Sequence, residues 1–184
     1  MTMRFTLAVG AALAILIGVG ACAPGPTYQH TDISRPAASM QPLNPSKQVL
    51  VSVPKDAVYQ GKAYPGSGQE VAQRTVIAFL KHTRQAEIAS PALQDQGELL
   101  IAARNAGAGY LVIPTIIHWE PRATFWTGLP SQVDISLTVI DVDAGREVRS
   151  TVLEGRTSMQ PQDIKDICSN ILEVHATELY RALP

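Results

Sequence analysis

The sequence predicts a single α/β domain on a mixed sheet, with element order β-α-β-α-β-β-β-α, behind an export leader and a flexible tether. Three observations carry this reading. Short β-branched runs alternate with amphipathic helical stretches in the first half of the chain, as expected for parallel strands joined by right-handed crossovers. In the second half, two stretches of two-residue alternation flank a turn, the pattern of an antiparallel hairpin. An apolar stripe at helical spacing then runs nearly to the C terminus. The 184 residues are 46% hydrophobic and 17% charged, with a formal net charge of -1. That suits one folded domain, excludes a wholly disordered chain and leaves no basic footprint for nucleic acid.

The leader comes first. Arg4 is the only charge ahead of an uncharged apolar run from Phe5 to Val19, which closes in Gly20-Ala21 before Cys22. These are the n, h and c regions of an export signal over residues 1–21. Val19-Gly20-Ala21-Cys22 resembles a bacterial lipobox, which makes Cys22 the acylated first residue of the mature chain. A plain secretory signal cut after Ala21 and an uncleaved anchor are the alternatives, and the run is shorter than the ~20 apolar residues a membrane span prefers. Two or three acyl chains, at about 0.8 kcal/mol per buried methylene, make a stable anchor where one does not. By the sorting rule of Gram-negative lipoproteins, Ala23 after the cysteine implies the periplasmic face of the outer membrane. With Cys22 acylated, Cys168 is the only remaining thiol, and no intramolecular disulfide can form.

Residues 22–46 contain Pro24, Pro26, Pro36, Pro42 and Pro45 among small and polar residues, and read as an extended tether. The domain is expected over residues 47–184. Gln48–Val53, stopped by Pro54, is the first strand, and residues 55–66 form a loop. Ser67 and Glu70 make a capping box for a helix with Ala72, Val76, Phe79 and Leu80 on its apolar stripe, ending near Arg84. Ala86–Ala89 is a weak strand. Ser90-Pro91 offers the start of the next helix, although Gly97 allows a later one, and Gly107 suits its C-cap.

Tyr110–Glu120 is one long strand, with a bulge or sheet edge expected at Pro114, which has no N–H to donate. Val133, Ile135, Leu137 and Val139 alternate with Asp134, Ser136 and Thr138, and Asp143-Ala144-Gly145-Arg146 turns into a returning strand over residues 148–154. Pro161 opens the last helix, whose stripe is Ile164, Ile167, Cys168, Ile171, Val174, His175 and Leu179.

No catalytic signature appears. Residues 55–68 lie where α/β proteins place ligand loops, ahead of a helix N-terminus, but match neither a phosphate-binding nor a dinucleotide-binding glycine pattern. They read as an ordered loop or as a contact surface using Tyr59 and Tyr64. His118 and Glu120, two apart on a strand, point to one side with Arg122 nearby, and form an internal polar network or a partner patch. They lack the further His or Cys that a zinc site needs, so no metal or cofactor is expected. Trp119, Phe125, Trp126 and Leu129 gather large apolar surface in one segment, as core or as interface anchors. Cys168 reads as a small buried hydrophobe, and His175, two turns or ~10.5 Å along the helix axis, lies too far to form a dyad with it.

Several stretches resemble a family of uncharacterised bacterial lipoproteins known only as a domain of unknown function. The carriers are Val51-Ser52-Val53-Pro54-Lys55-Asp56 with Tyr59, Tyr64 and Ser67-Gly68; Ala103-Arg104 with Gly107 and Tyr110–Pro114; His118-Trp119-Glu120 with Arg122, Trp126, Gly128 and Pro130; and Ile140-Asp141 with Gly145. The element order also looks like that of the amino-terminal domain of the Tol propeller protein, the curli-secretion lipoprotein and lipoprotein activators of peptidoglycan synthases. That likeness implies docking or assembly rather than chemistry, as a fold-level analogy. The expectation is a non-enzymatic envelope module anchored through acyl chains on Cys22, with an envelope protein as partner and Tyr59, Tyr64, His118, Trp119, Glu120, Arg122 and Trp126 as its candidate surface. The alternative is a small-molecule or glycan-binding domain, with or without weak hydrolase activity.

Overall fold

The computed structural model describes residues 27–32, 41–122, 129–157 and 163–181, the first stretch as backbone only. The strands are β1 (Thr27–Asp32), β2 (Val49–Val51), β3 (Ala57–Tyr59), β4 (Lys62–Tyr64), β5 (Ala86–Ile88), β6 (Tyr110–Glu120), β7 (Gln132–Asp141) and β8 (Arg146–Arg156). The helices are α1 (Ser67–Leu80), α2 (Gln96–Asn105) and α3 (Ile164–Tyr180). The expected order therefore appears as β2-α1-β5-α2-β6-β7-β8-α3, with β1 and the β3–β4 hairpin added to it.

The main sheet runs β1-β8-β7-β6-β2-β5, parallel across β5, β2 and β6 and antiparallel elsewhere. β2 is buried along its whole length, as a central parallel strand covered on both faces must be. Val49 and Val51 face one core with Val112, Ile135 and Leu137 of the sheet, Phe79 of α1, and Ile167 and Leu172 of α3. Leu50 faces the opposite side, where Leu111, Ile140, Leu99 and Ala103 form a smaller cluster beneath α2. Alternation along β7 is as expected, and on β8 the inward row is Arg149, Thr151, Leu153 and Gly155.

The expectation for Pro114 is met by an edge. Tyr110 donates to the Gln48 carbonyl and the Val112 carbonyl accepts from Ser52, so every second residue of β6 faces β2. β2 has ended by Pro114, and its missing N–H costs no ladder bond.

Several boundaries differ from expectation. The tether is shorter: residues 27–32 pair along β8, Leu43 is buried with its N–H donating to the Leu179 carbonyl at 2.8 Å, and Arg149 donates to the Gln41 carbonyl. The 55–66 loop contains a hairpin, because Gln60 (φ 50°) and Gly61 (φ 76°) make the two-residue turn that strand twist favours. α1 ends at Leu80, and α2 starts after Asp95, whose carboxylate accepts from Gly97 and Glu98, rather than at Ser90. Asp163 caps α3 through the Lys165 N–H, Pro161 lies outside the described residues, and Val174 falls at the margin of the stripe and is exposed.

α3 crosses the sheet where β8 carries Gly155. A Cβ there would stand 2.4 Å from Ile167 Cγ2 and 3.0 Å from Ile171 Cγ2. Gly155→Ala is therefore expected to cost roughly 1–3 kcal/mol by overpacking, read as a drop of several degrees in the thermal unfolding midpoint.

Candidate functional site

The polar cluster at the end of β6 depends on one extra residue. Up to Ile116, the even-numbered residues of β6 face the α1/α3 core, as Tyr110 and Val112 do. The register with β7 then shifts: Ile116 pairs with Ile135, but His118 pairs with Asp134, Trp119 with Val133 and Glu120 with Gln132. Ile117 is the inserted residue, and the bulge reverses the alternation. Trp119 thus enters the core, at 5% exposure, while His118 and Glu120 turn to the opposite face.

On that face the β3–β4 hairpin supplies Tyr59. The Tyr59 hydroxyl donates to Glu120 Oε1, which also accepts from Arg122 Nε at 2.7 Å, and His118 Nε2 lies 3.2 Å from Glu120 Oε2. The Tyr59 and His118 rings meet edge to face, with centroids 5.2 Å apart. Glu120 is buried, and these donors hold its carboxyl below the ordinary 4.5, the Tyr59 bond foremost. The same bond raises the Tyr59 hydroxyl, and pairing with Glu120 raises the Arg122 guanidinium. A carboxylate stabilised in its charged form by three side chains is a weak base, so the cluster ties the hairpin to the strand end.

The hairpin is fixed from its other side by Asp56. Its carboxylate accepts from Gly66 N at 3.0 Å and Gly68 N at 2.8 Å, which lowers its pKa and satisfies the first amides of α1. This overturns the expected capping box. Ser67 sits inside the helix, accepts from Ala57 N at 2.8 Å and donates to the Tyr64 carbonyl at 2.7 Å, while Glu70 pairs with Arg74. Gly68 permits the arrangement, since a Cβ there would stand 2.1 Å from the Pro54 carbonyl oxygen. The anion-binding potential of this helix start is taken up internally.

The structure thus gathers Tyr59, His118, Glu120 and Arg122. Tyr64 instead packs half-buried against the main core with Lys62 Nζ 5.2 Å from its ring centroid, and Trp119 is core rather than surface. Trp126 and Phe125 lie outside the described residues, as does Cys22. Val58 and Ile117, immediately flanking Tyr59 and His118 in sequence, are 68% and 56% exposed. The reading from sequence missed both, because their apolar character suggests core until the hairpin turn and the bulge are known.

Beside the cluster, an open groove of about 430 Å³ lies beyond the carboxyl end of β2. Val53, Val58, Leu93, Leu99, Ile113 and Ile116 line it in part. A second groove of about 640 Å³, near Lys47, Arg84 and Arg104, lies at the opposite end of the parallel strands. Among the described residues, neither has an aromatic side chain in its wall. Cys168 is fully buried and its thiol is pushed up to about 12 by desolvation, the state of a packed hydrophobe.

An α/β module of this topology, with a carboxylate-centred clamp and no catalytic constellation among the described residues, is the class defined by the geometry. The chain belongs to the family described as domain of unknown function DUF4823, which it matches over residues 41–173. No curated protein matches it. Among solved structures it is similar to the PelC dodecamer from Paraburkholderia phytofirmans, at 14% identity and TM-score 0.63, covering 86% of this chain and 99% of that one. Weaker likenesses are to the LpoB C-terminal domain from Salmonella enterica (13% identity, TM-score 0.38, 66% and 88% covered) and to lipoprotein GNA1162 from Neisseria meningitidis (10%, 0.46, 72% and 97%). At these identities the likeness to PelC shows the fold, and the two weaker ones carry no argument.

Because the folded state lowers the Glu120 pKa, the unfolded chain binds the proton more readily. The stabilisation is complete above the ordinary value of 4.5 and lost as pH falls through the lower folded value. Unfolding followed from pH 7 to pH 3 is expected to show this loss in the wild type and a flatter profile in Glu120→Gln.

Proposed function

We propose that this protein is a lipid-anchored envelope module on the periplasmic face of the outer membrane, acting by binding another envelope protein rather than by catalysis. The observation that carries the reading is the leader: Val19-Gly20-Ala21-Cys22 at the end of an uncharged apolar run, followed by Ala23. The PelC-like fold and membership of DUF4823 are compatible with it. Against chemistry stands the occupation of Glu120, whose carboxylate oxygens are already engaged by Tyr59, Arg122 and His118. Against a glycan site stand the two grooves described above, which are open and, among the described residues, walled without aromatic rings. The partner surface is the exposed rim of the clamp, where Val58 and Ile117 add apolar area to Tyr59, His118 and Arg122.

In intact cells, the wild-type chain is expected to incorporate labelled palmitate and to fractionate with the outer membrane. Cys22→Ala is expected to lose both. Crosslinking and mass spectrometry on the same cells should return one reproducible envelope protein, which the double variant Val58→Asp/Ile117→Asp loses while keeping its thermal midpoint. Lipidation without any reproducible partner would favour the ligand-binding alternative.

A further inference from the structure

The backbone register places one end of the sheet beside the chain that leads to Cys22. Thr27 pairs with Arg156, Arg156 with Gln132, and Gln132 with Glu120, so these four residues form a single row across β1, β8, β7 and β6. Thr27 is the first residue of β1, and only Ala23-Pro24-Gly25-Pro26 separates it from Cys22. Fully extended, that stretch spans at most about 18 Å. From the same row to the far end of β7, at Asp141, the sheet runs ten residues, roughly 30 Å at strand rise. An anchor on so short a lead cannot let the domain invert. The near end must stay within the lead's reach of the surface that holds the acyl chains.

The side chains at the near end are compatible with that orientation. The near end presents Arg156, which is exposed, and Leu129 at 51% exposure where the chain returns to β7. Its buried carboxylate, Glu120, is already paired with Arg122. The far end carries both signs of charge: Lys47 bridges Asp141 and Asp143, and Arg84, Arg104, Arg146 and Glu147 are exposed around them. Charge therefore does not choose between the ends; the short lead does, and the exposed apolar side chain of Leu129 at the near end suits a phospholipid surface.

We propose that the end of the sheet bearing Leu129 and Arg156 is seated on the phospholipid surface that holds the acyl chains of Cys22, with the 142–145 turn directed away from it. This rests on the lipoprotein reading above, and it removes the long spacer expected from the proline-rich composition of residues 22–46. The domain is held close to the membrane, with its far end directed into the aqueous compartment.

The test uses the full mature chain, purified with its native N-terminus and reconstituted into phosphatidylethanolamine/phosphatidylglycerol vesicles containing doxyl-labelled lipid. A fluorophore is attached through Leu129→Cys in one sample and Ala144→Cys in another; Cys168 is buried and stays unlabelled. Quenching several-fold greater at position 129 than at 144 is expected, with both variants keeping the wild-type thermal midpoint. Equal quenching, or more at 144, overturns the orientation. Mass spectrometry of the N-terminal peptide separates the two failures. An acylated Cys22 with no excess quenching at 129 overturns the seating alone, whereas an unmodified Cys22 overturns the lipoprotein reading and the seating with it.

Discussion

The extra residue in β6 is the constraint on which the site depends. In an unbroken strand, side chains two apart share a face, so Glu120 would follow Val112 and Ile116 into the core between the sheet and α1/α3. A carboxylate there would have to be neutralised or paired at the expense of hydrophobic packing. Inserting Ile117 exchanges the two faces over the last turn of the pleat. It sends Trp119 inward and places Glu120 where a hairpin, a histidine and an arginine can reach it.

From that exchange the rest of the clamp follows. A buried carboxylate needs donors, and Tyr59 reaches it only because the β3–β4 hairpin lies against β6. The hairpin is held in turn by the start of α1, where Asp56 and Ser67 bind it from below. Two carboxylates at the ends of two elements therefore set the position of one small ribbon. Both lie below their ordinary pKa values because hydrogen-bond donors surround the charged form, which is a structural rather than a catalytic use of acidity.

The opposite edge of the sheet performs a different task. β1 covers β8, so the antiparallel edge is not left open to pair with other chains. The same strand makes residues 27–32 of the proline-rich lead part of the fold. Leu43 in the core and Gln41 bonded by Arg149 continue the attachment up to β2. Tethers are read from composition, and composition does not register that a sheet has an unpaired edge within reach.

The order of strands and helices, the inward row of β7 and the burial of Cys168 were all legible in the sequence, because each rests on local chemistry: hydrophobic spacing at a period of two or 3.6. The polar grouping of His118, Glu120 and Arg122 was legible for the same reason, as the three lie within five residues of chain. Tertiary structure alone decided that Tyr59 joins them, that Asp56 rather than Ser67 satisfies the start of α1, and that Thr27 lies level with Glu120. Each of these depends on contacts between segments remote in sequence, where a one-residue bulge or one open sheet edge changes which groups can meet.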